Sequence, residues 1–280
     1  MQEFLEDLIR IMNATITPPR VWGVFHACFF AAMLAAAAVI LAFSGKLRKR
    51  PRLVYALTIA FGVFLLLIEG AKQIYYSLHI GENGLYWDYQ WHAFPFQFCS
   101  TPLYACIALC FFRRGRIHDA LCAFLGTFGA FAGAGVMTTP GAVLIDSLFI
   151  DLHTMFWHSS LFLVGVLQWA GKTFERTSRP FFGAAVIFLI FAAIALALDF
   201  ALPQLADENF NLFYISPYLP CTINILDEIW KVVPYPVFLA IYLLGFIGIA
   251  AAIFFAVRTV FTFIEKAIAR KKAGESSHSN

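Results

Sequence analysis

The chain has 280 residues, of which 61% are hydrophobic and only 13% carry a charge. Its mean hydropathy is +0.76. Soluble domains carry about 25% charged residues, so a soluble fold of this composition would expose much of its apolar surface to water. The net charge of +3 is small, and the aromatic content of 17% suits lipid-facing and interfacial surfaces. We therefore expect a membrane protein whose partner is membrane lipid, with no nucleic acid bound.

Seven apolar segments approach the ~20 residues that a transmembrane helix needs. In chain order they are Val21–Phe43, Leu53–Tyr76, Ala93–Phe112, Ala120–Met137, Leu144–Ala170, Phe181–Leu202 and Pro236–Val257. The predicted fold class is all-α, a polytopic membrane protein with seven transmembrane helices. Residues 1–20 are expected to form an outer interfacial segment, 21–257 the transmembrane domain and 258–280 a basic cytoplasmic tail.

The positions of Lys and Arg predict the orientation of these helices. Sixteen of the 20 basic residues lie in four regions, at 46–52, 113–116, 172–179 and 258–272. These regions alternate along the chain with loops that hold few Lys or Arg. Because Lys and Arg are retained in the cytoplasm, the pattern predicts an outer N-terminus, a cytoplasmic C-terminus and an odd number of spans.

The second apolar segment carries charge at membrane depth. Glu69, Lys72, Gln73 and Tyr76 follow the spacing i, i+3, i+4, i+7 and therefore share one helix face. Ionisable residues inside the membrane are costly and often mark functional sites. Glu69 and Lys72 can also neutralise each other, so a purely structural ion pair stays open as an alternative.

The third segment contains a candidate nucleophile, Cys99. On a continuous helix one stripe would hold His92, Pro95, Cys99, Cys106 and Cys110. Gln97 would point away from that stripe unless Pro95 distorts the first turn. A cysteine in an apolar helix can also be a packing residue, and the sequence leaves both interpretations open.

The fourth and fifth segments add small and polar residues. Gly129 and Gly133 form a GxxxG pattern, which permits close helix contact. In the fifth segment Asp151 and His158 are seven residues apart, as are Asp146 and His153. Because the two histidines lack the i, i+4 spacing of a helical zinc motif, no metal site is predicted, and no cofactor. The polar residues of spans two, three and five are expected to lie in one leaflet, which predicts a cavity that opens outward or into the outer leaflet.

These features resemble the YwaF-like integral membrane proteins over roughly residues 53–245. The resemblance rests on Phe94-Pro95-Phe96-Gln97-Phe98-Cys99-Ser100, on Met137-Thr138-Thr139-Pro140, on Phe156-Trp157-His158-Ser159, and on Asn211-Leu212-Phe213-Tyr214 followed by Leu226-Asp227 and Pro234-Tyr235-Pro236. That family is similar in turn to eukaryotic membrane proteins implicated in phospholipid acyl transfer through an intramembrane cysteine. The resemblance implies Cys99 as the nucleophile and His158 as its partner.

Two functions follow as hypotheses. In the first, the protein transfers acyl chains between membrane lipids, with Cys99 as nucleophile, His158 as base and Glu69 orienting the base. The substrate-binding residues would be Lys72, Gln73, Gln97, Ser100, His153 and Asn211, with Gln97 or Ser100 stabilising an oxyanion. In the second, a non-enzymatic transporter or ligand-binding protein uses the same Glu, Lys and His residues. The expected location is the cell membrane, or the cytoplasmic membrane if the source is bacterial.

Overall fold

A computed structural model describes residues 2–277, with side chains described for 3–267 and Arg270. The helices are α1 Gln2–Met12, α2 Val24–Ala42, α3 Ser44–Leu47, α4 Pro51–Tyr75, α5 Thr101–Leu109, α6 Arg116–Phe124, α7 Ala130–Thr138, α8 Leu148–Gly171, α9 Ser178–Ala201, α10 Leu226–Val232 and α11 Tyr235–Ser277. An antiparallel hairpin, β1 Leu78–Gly81 and β2 Gly84–Trp87, follows α4.

Six helices in the described residues are long and apolar enough to cross a membrane. They are α2, α4, the continuous rod Arg116–Thr138, α8, α9 and the first 33 residues of α11. In the rod, a π-helical turn at Leu125–Gly129 joins α6 to α7. The chain is a helical, multi-pass membrane protein.

The third predicted span is wrong as a single helix. Of Ala93–Phe112, only the apolar stretch Phe98–Leu109 is helical, and α5 itself spans nine residues. Pro95 explains the break, because it lacks an amide hydrogen and disfavours helical geometry in the residue before it. The predicted stripe containing His92 and Cys99 therefore does not form, and the distortion lets Gln97 reach the interior.

The broken segment nevertheless runs the length of α4. At one end the Gln73 side chain donates to the Ala93 carbonyl at 2.8 Å. At the other end the Arg113 guanidinium lies 5.6 Å from the ring centre of Tyr55. Tyr55 and Gln73 are roughly 27 Å apart along the helix axis. Residues 93–113 thus traverse the bundle with only one short helix.

Two other predicted boundaries change. The fifth span begins at Leu148 rather than Leu144, because the Ser147 hydroxyl accepts the Ile150 amide and caps α8. Asp146 lies in the turn before this cap, so it does not share a helix face with His153. The last span does not stop at Val257, since α11 continues to Ser277.

The helices pack through small residues and aromatic rings. Gly133 of α7 lies against the backbone of α8, where an added Cβ would meet the His158 oxygen and the Phe162 nitrogen. Nearby, Phe98, Phe188 and Phe246 form an aromatic core with ring centres 4.9–5.8 Å apart. Close glycine contacts and stacked rings supply the packing that holds helices together in lipid.

The long connection between α9 and α11 is not simply a surface loop. Its residues 209–221, called the plug below, enter the bundle and bury Phe210, Leu212, Phe213, Ile215 and Cys221 in the aromatic core. Non-helical backbone at membrane depth is tolerated where protein surrounds it. The plug therefore needs internal partners for its amides and carbonyls.

Candidate functional site

A buried ion pair lies near the C-terminal end of α4. The Lys72 Nζ atom is 2.8 Å from Glu69 Oε1, and Gln73 Nε2 donates to the same oxygen at 2.8 Å. The Tyr89 hydroxyl donates to Gln73 Oε1 at 2.9 Å. Within the described part of the chain, Glu69 Oε2 is buried with no hydrogen-bond partner. The predicted face of α4 is thus a connected polar cluster.

The turn that carries Cys99 packs on α8. Cys99 lies against a hydrophobic cluster that includes Trp157 and Leu161 of α8, and His158, the residue after Trp157, is buried. The tertiary structure thus brings the Cys99 turn to the part of α8 that carries His158. Lys72 forms its ion pair with Glu69, and the predicted grouping of Lys72 with Cys99 and the histidines stays a prediction.

Hydrogen bonding defines the proton positions on His158. Its Nδ1 atom lies 2.8 Å from the Thr154 carbonyl oxygen. A carbonyl only accepts, so Nδ1 carries the hydrogen and Nε2 of the neutral ring is the basic nitrogen. The orienting contact on this ring comes from Thr154, whereas Glu69 bonds to Lys72 and Gln73.

His153 lies five residues before His158 on α8. Its ring stacks on Trp157 with centres 5.4 Å apart. His153 Nε2 is buried and has no hydrogen-bond partner among the described side chains and backbone. A buried polar atom without a partner is costly, which marks this position as one where a polar ligand group would be stabilised.

Cys99 is half-buried in the 3₁₀ turn Phe98–Ser100 that precedes α5. The Trp157 indole donates to the Cys99 carbonyl at 3.0 Å and ties this turn to α8. Ser100, the next residue, is buried. No hydrogen bond in the described region joins the Cys99 sulfur to the His158 ring.

Gln97 and Asn211 hold the plug. Gln97 Nε2 donates to the Asn211 carbonyl at 2.9 Å, and Gln97 Oε1 accepts the Phe213 amide at 2.9 Å. The Asn211 side chain donates to the Pro220 carbonyl and accepts the Ser216 amide, both at 3.0 Å. Phe213 has a φ of 55°, a conformation that non-glycine residues rarely adopt. Both side chains thus satisfy backbone groups of a strained loop.

Three residues absent from the sequence predictions complete the plug. Asp199 Oδ1 accepts the Leu212 amide at 3.1 Å. The hydroxyls of Tyr242 and Tyr235 each donate at 2.7 Å, to the carbonyls of Phe213 and Ile215 respectively. Asp199 was detectable, because it is a lone carboxylate in an otherwise apolar span. Tyr235 lies in the Pro234-Tyr235-Pro236 motif, which gave it no role, and nothing local in the sequence distinguishes Tyr242 from lipid-facing aromatics.

Two titratable side chains flank the cluster outside the spans. Burial, and then the charge of Lys72, lower the pKa of His92. Burial, and then the charge of Glu69, raise the pKa of Tyr89. Both shifts favour the neutral forms of these two side chains at neutral pH. Across the described residues, no group of three His, Cys, Asp or Glu side chains could hold a metal ion.

Comparison with known proteins gives one match. The model of the TMEM164 family matches residues 21–258, which include the six long helices up to the middle of α11, the plug and the Lys72 cluster. No curated protein matches the chain, and no solved structure does. Because the match covers most of the sequence, the chain belongs to the TMEM164 family of membrane proteins.

Proposed function

We propose that this protein transfers acyl chains between membrane lipids, with Cys99 as the nucleophile and His158 as its base. The observation that carries the proposal is the packing of Cys99 against Trp157 and Leu161 of α8, on either side of His158 in the chain, whose bond to Thr154 leaves Nε2 as the basic nitrogen. A nucleophile and an oriented base are the parts that cysteine-based acyl transfer requires. The similarity to YwaF-like and cysteine-dependent acyltransferase-like proteins supports the same chemistry.

In the proposed reaction the Cys99 thiol gives its proton to His158 Nε2. The thiolate attacks the ester carbonyl of a donor lipid, a thioester forms, and the lysolipid hydroxyl leaves with the proton from His158. A second lipid hydroxyl then attacks the thioester, returning the acyl chain to oxygen and the proton to the thiol. Catalytic pairs often reach hydrogen-bond distance only in the substrate complex, so lipid binding must bring thiol and imidazole together.

Other residues have proposed roles around this step. Lys72 and Ser100 stabilise the thiolate and the developing oxyanion. Gln73 and Glu69 hold Lys72, and His153 offers Nε2 to a polar lipid group. Gln97 and Asn211 act on substrate through the plug that they position.

We also propose seven crossings of the cell membrane, with the N-terminus outside and the C-terminus in the cytoplasm. Residues 93–113 traverse the bundle beside α4 and supply a seventh crossing to the six long helices. The clustering of Lys and Arg supports the orientation. In a background lacking Cys28 and Cys110, Lys231→Cys should react with an impermeant thiol reagent in intact cells, and Arg116→Cys only after permeabilisation. Labelling of both from one side would contradict the topology.

Thioester formation tests the chemistry. Protein lacking the two exposed thiols, Cys28 and Cys110, is incubated with phospholipid that carries a labelled acyl chain. We expect label on Cys99 as a hydroxylamine-sensitive thioester and none on the buried Cys106. The change His158→Ala should reduce the labelling rate by about 10²–10⁴-fold, which is the usual contribution of a positioned base.

A second buried histidine provides the matched control. His26 hydrogen-bonds to the Met137 carbonyl at 2.8 Å, so His26→Ala removes a buried ring of the same size without touching the cluster. Its labelling rate should stay within about twofold of the parent. Equal effects of the two changes, or label distributed evenly over the cysteines, would refute the enzyme and leave the ligand-binding or transport function for the Lys72 cluster.

A further inference from the structure

A cavity of about 520 Å³ lies at the opposite end of the bundle from Lys72. It is formed by the start of α4, the end of the broken third segment, the start of α6 and the end of α8. Its basic lining residues are Arg48, Arg52, Arg113, Arg114, Lys172 and His118, and no Asp or Glu lines it. The volume falls in the range of small-molecule sites.

Most of these cations lack a carboxylate partner in the described part of the chain. Arg48 and His118 are the exceptions, since Arg48 pairs with Glu265 at 2.6 Å and His118 Nδ1 lies 3.0 Å from Asp119 Oδ1. Arg176, outside the cavity, shares the Glu265 carboxylate at 2.7 Å. Arg52, Arg114 and Lys172 form no ion pair among the described residues. Like charges gathered around one small cavity repel one another, and an anion between them would offset that cost.

The general excess of Lys and Arg on the cytoplasmic side explains the number of cations at this end of the bundle, but not their placement around one cavity. Lys49, Arg50 and Arg116 belong to the same basic regions, yet they do not line the cavity. The cavity thus collects only some of the available cations. Basic pockets between transmembrane helices at this face are known to bind phosphorylated headgroups.

The floor of the cavity is already satisfied internally. Gln168 Nε2 donates to Thr58 Oγ1 at 2.9 Å, and Thr173 donates to Gln168 Oε1 at 2.9 Å. The Thr58 hydroxyl donates onward to the Val54 carbonyl. The side chains left to bind a ligand are therefore the cations of the rim. They suit a ligand that carries a charged group at one end.

We propose that this cavity is a binding site for a phosphate group at the cytoplasmic face, with the cations of its rim as ligands. The phosphate can be carried by a lipid headgroup of the inner leaflet or arrive as free phosphate, and both present the same oxyanion to Arg52, Arg114 and Lys172. Arginine suits this task because its planar fork of donors matches phosphate oxygens. The site is independent of the proposed acyl transfer at the other end.

Binding by purified full-length protein tests the proposal. Short-chain phosphatidic acid, the matching diacylglycerol without phosphate, and inorganic phosphate are titrated separately in neutral detergent. We expect phosphatidic acid to bind and diacylglycerol not to bind. The double change Arg52→Gln/Arg114→Gln should weaken binding about 100-fold, since each lost charge-assisted contact is worth roughly tenfold. Lys172→Asn should weaken it about tenfold on its own, and asparagine suits the left-handed backbone at this position.

The matched control is Arg50→Gln/Arg116→Gln, which removes the same charge two residues away from each lining position. It should change affinity by less than about threefold, because screened long-range attraction is weak. If inorganic phosphate displaces phosphatidic acid, and the Arg52/Arg114 variant binds phosphate with the same loss of affinity, free phosphate is a ligand of the site. If inorganic phosphate does not compete, the ligand is the lipid headgroup. Equal weakening by the two double variants, or no binding of either phosphate compound by the parent, would overturn the proposal.

Discussion

The two ends of the bundle differ in whether their charged side chains are paired. Near the C-terminal end of α4, the buried Glu69 pairs with the half-buried Lys72 one turn away. At the other end, four exposed cations line one cavity without any acidic neighbour in its wall. Burial in apolar surroundings makes an unpaired charge very costly, whereas water at a membrane face screens and solvates each cation. The same residue types are therefore paired where they are buried and accumulated where water reaches them.

Removing one partner of the Glu69–Lys72 pair should have the largest effect on stability. Either Lys72→Met or Glu69→Leu alone should lower the free energy of unfolding by about 3–5 kcal/mol, because the remaining charge is left uncompensated. The double change should cost less than either single change. The measurement is reversible unfolding in mixed micelles across a double-mutant cycle.

The pair Arg48–Glu265 at the opposite end is the control for this cycle. Its side chains are 26% and 34% exposed, and Arg176 also pairs with Glu265. The change Arg48→Met should cost about 1 kcal/mol or less, as for other solvent-accessible pairs. Additive losses at Glu69 and Lys72, or equal losses at both ends, would show that burial does not distinguish the two regions.

A smaller effect is expected at the contact that positions His158. Gly133→Ala would drive a methyl group into the α8 backbone at His158, and we expect a loss of about 1–3 kcal/mol by overpacking. Gly135→Ala is the control, since nothing lies within 4 Å of its added Cβ. Thermal unfolding of the two variants in one detergent makes the comparison. Similar unfolding midpoints for the two variants would mean that α7 and α8 can move apart at little energetic cost to accommodate the added methyl group.

The smallest effect should come from one anchor of the plug. Tyr242→Phe removes the hydrogen bond to the Phe213 carbonyl and should cost about 1 kcal/mol. Amide exchange in residues 209–221 should then speed up roughly fivefold, while the exposed Tyr218→Phe leaves it unchanged. Unaltered exchange in the Tyr242 variant would mean that the other anchors alone hold the plug in the bundle.

Several features of the protein were predictable because they depend on neighbours in sequence. The helical membrane class follows from composition, and the shared face of Glu69, Lys72 and Gln73 follows from helical spacing alone. The same spacing placed Lys72 within reach of Glu69, as the structure has it. The third predicted span was wrong as a single helix because the prediction gave the apolar composition more weight than Pro95. The effect of proline on a helix is local and could have been predicted from the sequence.

The amino-acid sequence by itself determined the membrane environment, the long apolar helices and the pairing of charges within one helix turn. Only the tertiary structure decided that residues 209–221 enter the bundle, that Gln97 and Tyr242 hold them there, and that the turn carrying Cys99 packs on α8 next to His158. These outcomes depend on contacts between residues that are 29 to 114 positions apart in the chain. Such contacts are selected by the packing of whole helices and by the need to satisfy buried backbone groups, which no short-range pattern encodes.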